Sequence, residues 1–236
     1  MEITGGIRDD GFSQHNIWEH SETLRTLYRL RARDQVEEMT CAAQGAELLA
    51  PLVQPGDIVL DVGCGSGYFF HSLRKRFIPV EYYGIDATRC LIEIGQSELP
   101  RFGLSEDRLA ILRLEDLSGE VDHVVCINVL SNIDNFHKPL ERLLKIARRS
   151  VIIRESISDS ASYLYVRDRF LDAGLDLGVY VNTYAREEIR EFIASRGFGV
   201  REEVDRRCGG NPEMVIGFPH HWTFLVAIRN QATTLK

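Results

Sequence analysis

The sequence predicts an α/β protein: a doubly wound, mostly parallel seven-stranded sheet with an antiparallel C-terminal strand pair and a helical N-terminal appendage. Three observations carry this. Short apolar runs alternate with segments of helical period between residues 57 and 155. Those runs are apolar throughout rather than at every second position, as strands covered on both faces by helices must be. Near the C-terminus two further runs follow one another with no helix between them, which makes them an antiparallel pair.

Each element has its own signal. Between residues 13 and 53, Ile17, Trp18, Leu24, Leu27, Tyr28 and Leu30 recur at steps of three and four, with Val36, Met39, Leu48 and Leu49 continuing the pattern less regularly, so one or two amphipathic helices come first. Pro51 and the Pro55-Gly56 pair interrupt them, and the β-branched run 57–62 is the first strand. A helix over 68–77, a strand over 79–86, a helix over 88–99 stopped by Pro100 and a strand over 108–112 follow. The fourth strand covers 121–128, the next helix has Pro139 near its first turn, and 151–155 is the fifth strand. Residues 158–180 carry Tyr163, Tyr165, Phe170 and Tyr180 and are longer than an ordinary connection, so they read as an inserted cap. A helix over 185–196, a strand over 200–204, a loop over 208–221 and a last strand over 222–228 complete the chain. The expected organisation is an N-terminal helical cap over 1–53 and one domain over 54–236, with the inserted cap at about 158–182.

Composition narrows the partners. The 236 residues include 28 basic and 35 acidic ones, a net charge of −7, so no overall positive field gathers a polyanion and nucleic acid is not an expected partner. No apolar run is long enough to span a bilayer and no leader-like segment opens the sequence, which leads to the expectation of a cytoplasmic protein without a membrane partner. Five scattered cysteines, Cys41, Cys64, Cys90, Cys126 and Cys208, suggest neither a disulfide framework nor a zinc site. No metal is expected.

The informative motif closes the first strand. In Val59-Leu-Asp-Val-Gly-Cys-Gly-Ser-Gly-Tyr-Phe69, Asp61 precedes three alternating glycines that turn the chain tightly into a helix, letting a ligand approach the backbone. The third glycine stands one position too early for a dinucleotide fingerprint, and Tyr68 occupies the place that pattern gives to Gly or Ala. An NAD(P)-dependent oxidoreductase is therefore the weaker reading. A non-catalytic cofactor-binding module is the other alternative.

With its acidic-x-Gly-x-Gly-x-Gly motif the chain resembles the class I S-adenosylmethionine-dependent methyltransferases, in good motif order from residue 57 to 155 and more loosely to 228. The resemblance implies S-adenosylmethionine as cofactor. It implies that Gly63, Cys64, Gly65 and Gly67 pack under the cofactor and that Asp61 helps to place its ammonium. It further implies that Asp86, with Ala87 beside it, accepts the ribose hydroxyls, and that Asp116, or Glu115, with Leu117, receives the adenine amino group. Asn128 would then face the sulfonium end. Asp86 has a purely structural alternative as a helix cap, as do Glu115 and Asp116 as a solvated turn.

Methyl transfer from a sulfonium is an in-line displacement that asks the protein mainly for alignment and exclusion of water. Few catalytic residues need be visible. Candidates for a general base are His137, Glu155, His220 and His221, and neighbours in an extended segment point oppositely, so at most one of the last two faces a site. The Asn-Pro-Pro-aromatic signature of amino-methylating nucleic-acid enzymes is missing after the fourth strand, where the chain has Asn128-Val-Leu-Ser131. A small-molecule acceptor with a hydroxyl or amine is the expected partner. The helix bearing Trp18 and Tyr28, the segment bearing Tyr163 and Tyr165 and the loop bearing His220 and His221 are expected to roof it. The alternative for these aromatics is packing onto the core or a dimer interface, so a homodimer stays open.

Overall fold

The computed structural model describes residues 12–168 and 171–230. Phe170 lies outside the described residues. The N-terminal part is α1 (Phe12–His15), a 3-10 turn (Ile17–His20), α2 (Glu22–Ala32) and α3 (Thr40–Leu49). The expected helical stretch is thus divided at residues 33–39. Asn16 caps the 3-10 turn by accepting from Trp18 N, and Ser21 caps α2 by accepting from Leu24 N.

Alternation then proceeds as the pattern requires: β1 (Ile58–Val62), α4 (Phe69–Lys75), β2 (Glu81–Asp86), α5 (Arg89–Glu98), β3 (Leu109–Ile111), β4 (Val121–Ile127), α6 (His137–Ile146) and β5 (Ala147–Ser158). The inserted segment holds the hairpin β6 (Tyr165–Arg167) and β7 (Gly178–Tyr180), followed by the short β8 (Tyr184–Ala185). After α7 (Arg186–Ser195) come β9 (Phe198–Val204), a second hairpin of β10 (Glu213–Val215) and β11 (Phe218–His220), and β12 (Trp222–Arg229).

The main sheet runs in the order β3-β2-β1-β4-β5-β12-β9, with β8 beside the end of β5. Its first five strands are parallel, and β12 is antiparallel to both β5 and β9. The seven-stranded doubly wound sheet with an antiparallel C-terminal pair is therefore present. Two small hairpins lay hidden in segments that read as loops, because strands of three residues carry too little period to register.

The sheet has an apolar layer on each face. One is built from residues such as Leu60, Val124 and Ile153 with Leu140 and Leu143 of α6 and Ile189 and Ile193 of α7. The other joins Val59, Val125, Ile152 and Phe224 to Ala46 and Leu49 of α3, Phe69 of α4 and Ile92 of α5. A third, smaller cluster unites all three appendages: Ile17 and Trp18, then Val166, Leu171, Leu177, Val179 and Val181, then Ile216 and Phe218. Polar bolts hold it down. Asn16 donates to Thr88 Oγ1 at 3.0 Å, and Glu19 accepts from Arg89 N at the start of α5. Arg25 and Glu22 N both reach the Asp172 carboxylate. Buried Asn182 donates to Ile133 O and accepts from Leu164 N.

At the opposite, amino edge of the strands, His123 sits between Asp57 (3.0 Å) and the Ser150 hydroxyl (2.7 Å), with Arg149 also on Asp57. His123 and Ser150 are buried, so this carboxylate, imidazole and hydroxyl ties β1, β4 and β5 together rather than meeting a substrate. No helix among the described residues is long and apolar enough to cross a membrane.

Candidate active site

The carboxyl edge of the parallel strands gathers the expected residues. Gly63, Gly65 and Gly67 take φ of +72°, +56° and +73°, the left-handed region that side chains resist. The turn is also crowded: a Cβ on Gly63 would lie 2.2 Å from Val129 Cγ2, and one on Gly65 would lie 2.2 Å from Tyr28 Cε1. Gly63 N and Cys64 N donate to Ile85 O, which ties the turn to β2. Asp86, half-buried at the end of β2, accepts Gly65 N on Oδ2 and Thr88 N on Oδ1, both at 2.8 Å. The Thr88 hydroxyl also bonds this carboxylate, and the lone-pair directions left over are what ribose hydroxyls need. Asp86 is thus the helix-entry partner and remains open to a ligand; Ala87 beside it is half-buried.

Asp61 is buried and accepts a hydrogen bond from Tyr82 Oη at 2.8 Å. Burial pushes its carboxyl up to about 7, with the nearby Asp86 acting in the same direction and the Tyr82 hydrogen bond opposing. Above the turn, Tyr28 meets Tyr68 edge to face at 5.9 Å, and the Arg31 guanidinium lies 5.1 and 5.2 Å from the two rings. Ser66 Oγ donates to Tyr28 O and holds α2 over the turn.

Beyond β3, Glu115 and Asp116 are exposed in a 3-10 turn, Leu117 is buried below them, and Glu115 stands 3.6 Å from Arg113. Both carboxylates remain at the surface beside the edge. After β4, Asn128 takes φ +61° and its Oδ1 receives a hydrogen bond from Arg154 Nη1. Arg154 is 3% exposed, pairs through Nε with Asp205 Oδ2 at 2.6 Å, and lies 4.4 Å from the Trp222 ring.

The base candidates disperse. Glu155 is buried and its oxygens accept from Val129 N, Leu130 N, Ser131 N and Ser131 Oγ, so it organises the turn after β4. His137 is exposed, paired with Glu188 at 3.2 Å and stacked on Phe136. His220 is buried, stacked on Trp222 at 4.7 Å, and donates from Nδ1 to Phe218 O; burial pushes its imidazole down. The His221 ring has no partner among the described residues, and alternation sets it on the face opposite His220 and Trp222.

Sequence reasoning missed Arg31, Tyr68, Tyr82, Arg154, Asp205 and Trp222 as members of this edge. One signal existed: Arg154 follows the apolar run Val151-Ile-Ile153 inside a strand that neighbours cover, and a charge buried there must be paired or functional.

Residues 60–151 match the family model described as a methyltransferase domain. Among curated relatives, the mitochondrial ubiquinone biosynthesis O-methyltransferase of Saccharomyces cerevisiae is 31% identical over 83 residues, covering 34% of this chain and 27% of that protein. Polyketide synthase ThaQ of Burkholderia thailandensis is 34% identical over 82 residues, covering 34% of this chain and 4% of that protein. The chain thus spans well under a third of the length of these relatives. Among solved structures, magnesium protoporphyrin IX methyltransferase of Synechocystis PCC 6803 with bound S-adenosylmethionine superposes with a TM-score of 0.62 at 17% identity, covering 96% of this chain and all of that one. Phosphoethanolamine N-methyltransferase 2 of Haemonchus contortus, also with S-adenosylmethionine, gives 0.63 at 13% identity, covering 96% of this chain and 61% of that one. The fold is that of the class I methyltransferases. Residues 60–151 are similar to a methyltransferase domain, and the two solved structures with this fold named here hold S-adenosylmethionine.

Proposed function

We propose that the whole chain is an enzyme that transfers the methyl group of S-adenosylmethionine to a small-molecule acceptor at a hydroxyl or amine. The observation that carries the reading is the glycine turn hung from Asp86 through Gly65 N, with the half-buried Asp86 carboxylate at the end of β2 and Asp61 at the end of β1. In this reading Asp86 holds the ribose, Asp61 the methionine ammonium, and Arg31, which has no carboxylate against it among the described residues, the methionine carboxylate. Asp116 or Glu115 takes the adenine amino group. The cofactor supplies the electrophilic methyl and its leaving group; the protein aligns the acceptor and keeps water out.

Support for a small acceptor comes from the third apolar cluster, in which all three appendages join beside the carboxyl edge, and from the net charge of −7, which disfavours nucleic acid. The five cysteines are free thiols, which suits a cytoplasmic setting. Calorimetry with S-adenosylmethionine, S-adenosylhomocysteine and NADH tests the cofactor assignment: binding of NADH and of neither sulfur compound overturns it in favour of an oxidoreductase. A methyl-transfer screen over metabolite pools with labelled cofactor tests catalysis. Cofactor binding with no labelled product from any pool supports the non-catalytic module instead.

A further inference from the structure

We infer that the acceptor presents an oxyanion, a carboxylate or an acidic hydroxyl already ionised, to a pair of donors formed by Asn128 Nδ2 and Arg154 Nη2. This deepens the methyltransferase reading and rests on it.

The argument starts from what Arg154 cannot do. A guanidinium has five N–H donors and no acceptor. The atom of Asn128 facing Arg154 Nη1 is therefore its oxygen, Oδ1, and the amide nitrogen is turned the other way. The orientation of this carboxamide follows from the chemistry of its partner. Arg154 is itself fixed, by Asp205 on Nε and by the Trp222 ring over its plane, which His220 backs in turn.

Next comes the inventory of free groups. Asp205 has Oδ2 on Arg154 and Oδ1 on Arg207 N and Cys208 N. Asn128 O receives Asn132 Nδ2, and Arg154 O receives Asn128 N. Each oxygen of this network already accepts at least one hydrogen bond. Within this network no hydrogen bond to another described residue engages Asn128 Nδ2 or Arg154 Nη2, both donors, and the Arg154 residue is 3% exposed. Asn128 directly follows β4, the strand that pairs with β1 of the Asp61 turn, and Arg154 of β5 lies opposite Ile127, the last residue of β4.

Two donors and no acceptor complement a group that carries lone pairs only. An amine acceptor has one lone pair; if it accepts from Asn128, nothing is left to attack. An oxygen keeps one pair for the donors and another for the methyl carbon. The oxygen pair forms the new O–CH3 bond as the CH3–S bond breaks, its electron pair stays with sulfur as a neutral thioether, and no proton has to leave. Of the four base candidates, Glu155, His137 and His220 are each engaged in other contacts, which leaves the His221 ring as the one without a partner among the described residues. An acceptor that is already anionic needs no general base.

The test uses the full chain saturated with S-adenosylhomocysteine and 19F line broadening of two probes, 4-fluorobenzoate and 4-fluorobenzylamine. The benzoate is expected to broaden and the amine not to. Asn128→Asp, which replaces the donor by a carboxylate, and Asn128→Ala are each expected to weaken benzoate binding by about tenfold, the loss of one hydrogen bond to a charged group. Broadening of the amine in preference, benzoate binding by either variant as strong as by the unsubstituted chain, or no broadening of benzoate overturns the inference. If S-adenosylhomocysteine itself fails to bind in calorimetry, the methyltransferase reading falls first and takes this inference with it.

Discussion

Gly65 donates its backbone N–H to Asp86 Oδ2 at 2.8 Å, so the middle of the glycine turn is anchored to the end of the neighbouring strand by the same carboxylate proposed to hold the ribose. Asp86→Ala removes both functions. Each charge-assisted hydrogen bond lost amounts to about 1.5–3 kcal/mol, so S-adenosylhomocysteine affinity is expected to fall by about tenfold or more. Calorimetry checks this; unchanged affinity removes Asp86 from the site.

Gly63→Ala is expected to lower both stability and cofactor affinity. At φ +72° an L side chain costs about 1–2 kcal/mol, and the new methyl meets Val129 Cγ2 at 2.2 Å. For a chain of this size each kcal/mol is about 2–4 °C in melting temperature. The double variant Gly63→Ala, Val129→Ala is expected to recover the steric part and not the backbone part. A thermal melt showing no loss for the single variant contradicts the crowding seen here.

Asp61 makes two opposite pH effects. Its folded-state carboxyl titrates near 7, above the ordinary carboxylate value, so the folded chain without cofactor holds that proton more tightly than the unfolded one. This contribution to stability is complete below about pH 4 and is lost as pH rises to 7. The proposed ammonium contact needs the ionised form. Cofactor affinity is therefore expected to rise between pH 6 and 8, and to lose that slope in Asp61→Asn. Calorimetry across this range checks both statements; a flat profile for the unsubstituted protein sinks the Asp61 assignment.

Asp205→Ala leaves the Arg154 charge buried and half-partnered, a change of about 3–5 kcal/mol. Denaturant unfolding is expected to register it in full. The double change Arg154→Met, Asp205→Leu removes both charges and is expected to regain most of the stability while failing to bind 4-fluorobenzoate. Should the double variant be as unstable as the single one, the pair is not behaving as a buried ion pair.

The parallel core was legible because its strands are long, apolar and β-branched and its helices repeat at three and four residues. Val59 to Val62 and Leu140 to Leu144 left little choice. The glycine turn with Asp61 and the end of β2 with Asp86 were legible for a related reason: their spacing is local and their backbone demands are specific. What remained hidden depends on pairing across the fold. That Glu155 would be consumed by the amides of Val129, Leu130 and Ser131 follows from the turn after β4 curling over β5, a relation between residues more than twenty apart. The meeting of Arg154 with Asp205 and Trp222 needs β12 to enter between β5 and β9, and no short-range pattern announces it. The hairpins β6–β7 and β10–β11 are three residues a side, too brief to imprint a period.

Ile17, Val179 and Phe218 come from the start, the middle and the end of the chain and share one apolar cluster. Selectivity grafts between relatives therefore have a minimum size. Exchanging residues 158–182 alone would set a foreign surface against Ile17, Trp18 and Phe218, exposing apolar area on both sides of a mismatched seam. If these segments roof the acceptor as proposed, substrate preference moves only as a three-part unit, and a chimera that swaps all three parts together is the one expected to express as a folded protein with the donor's acceptor.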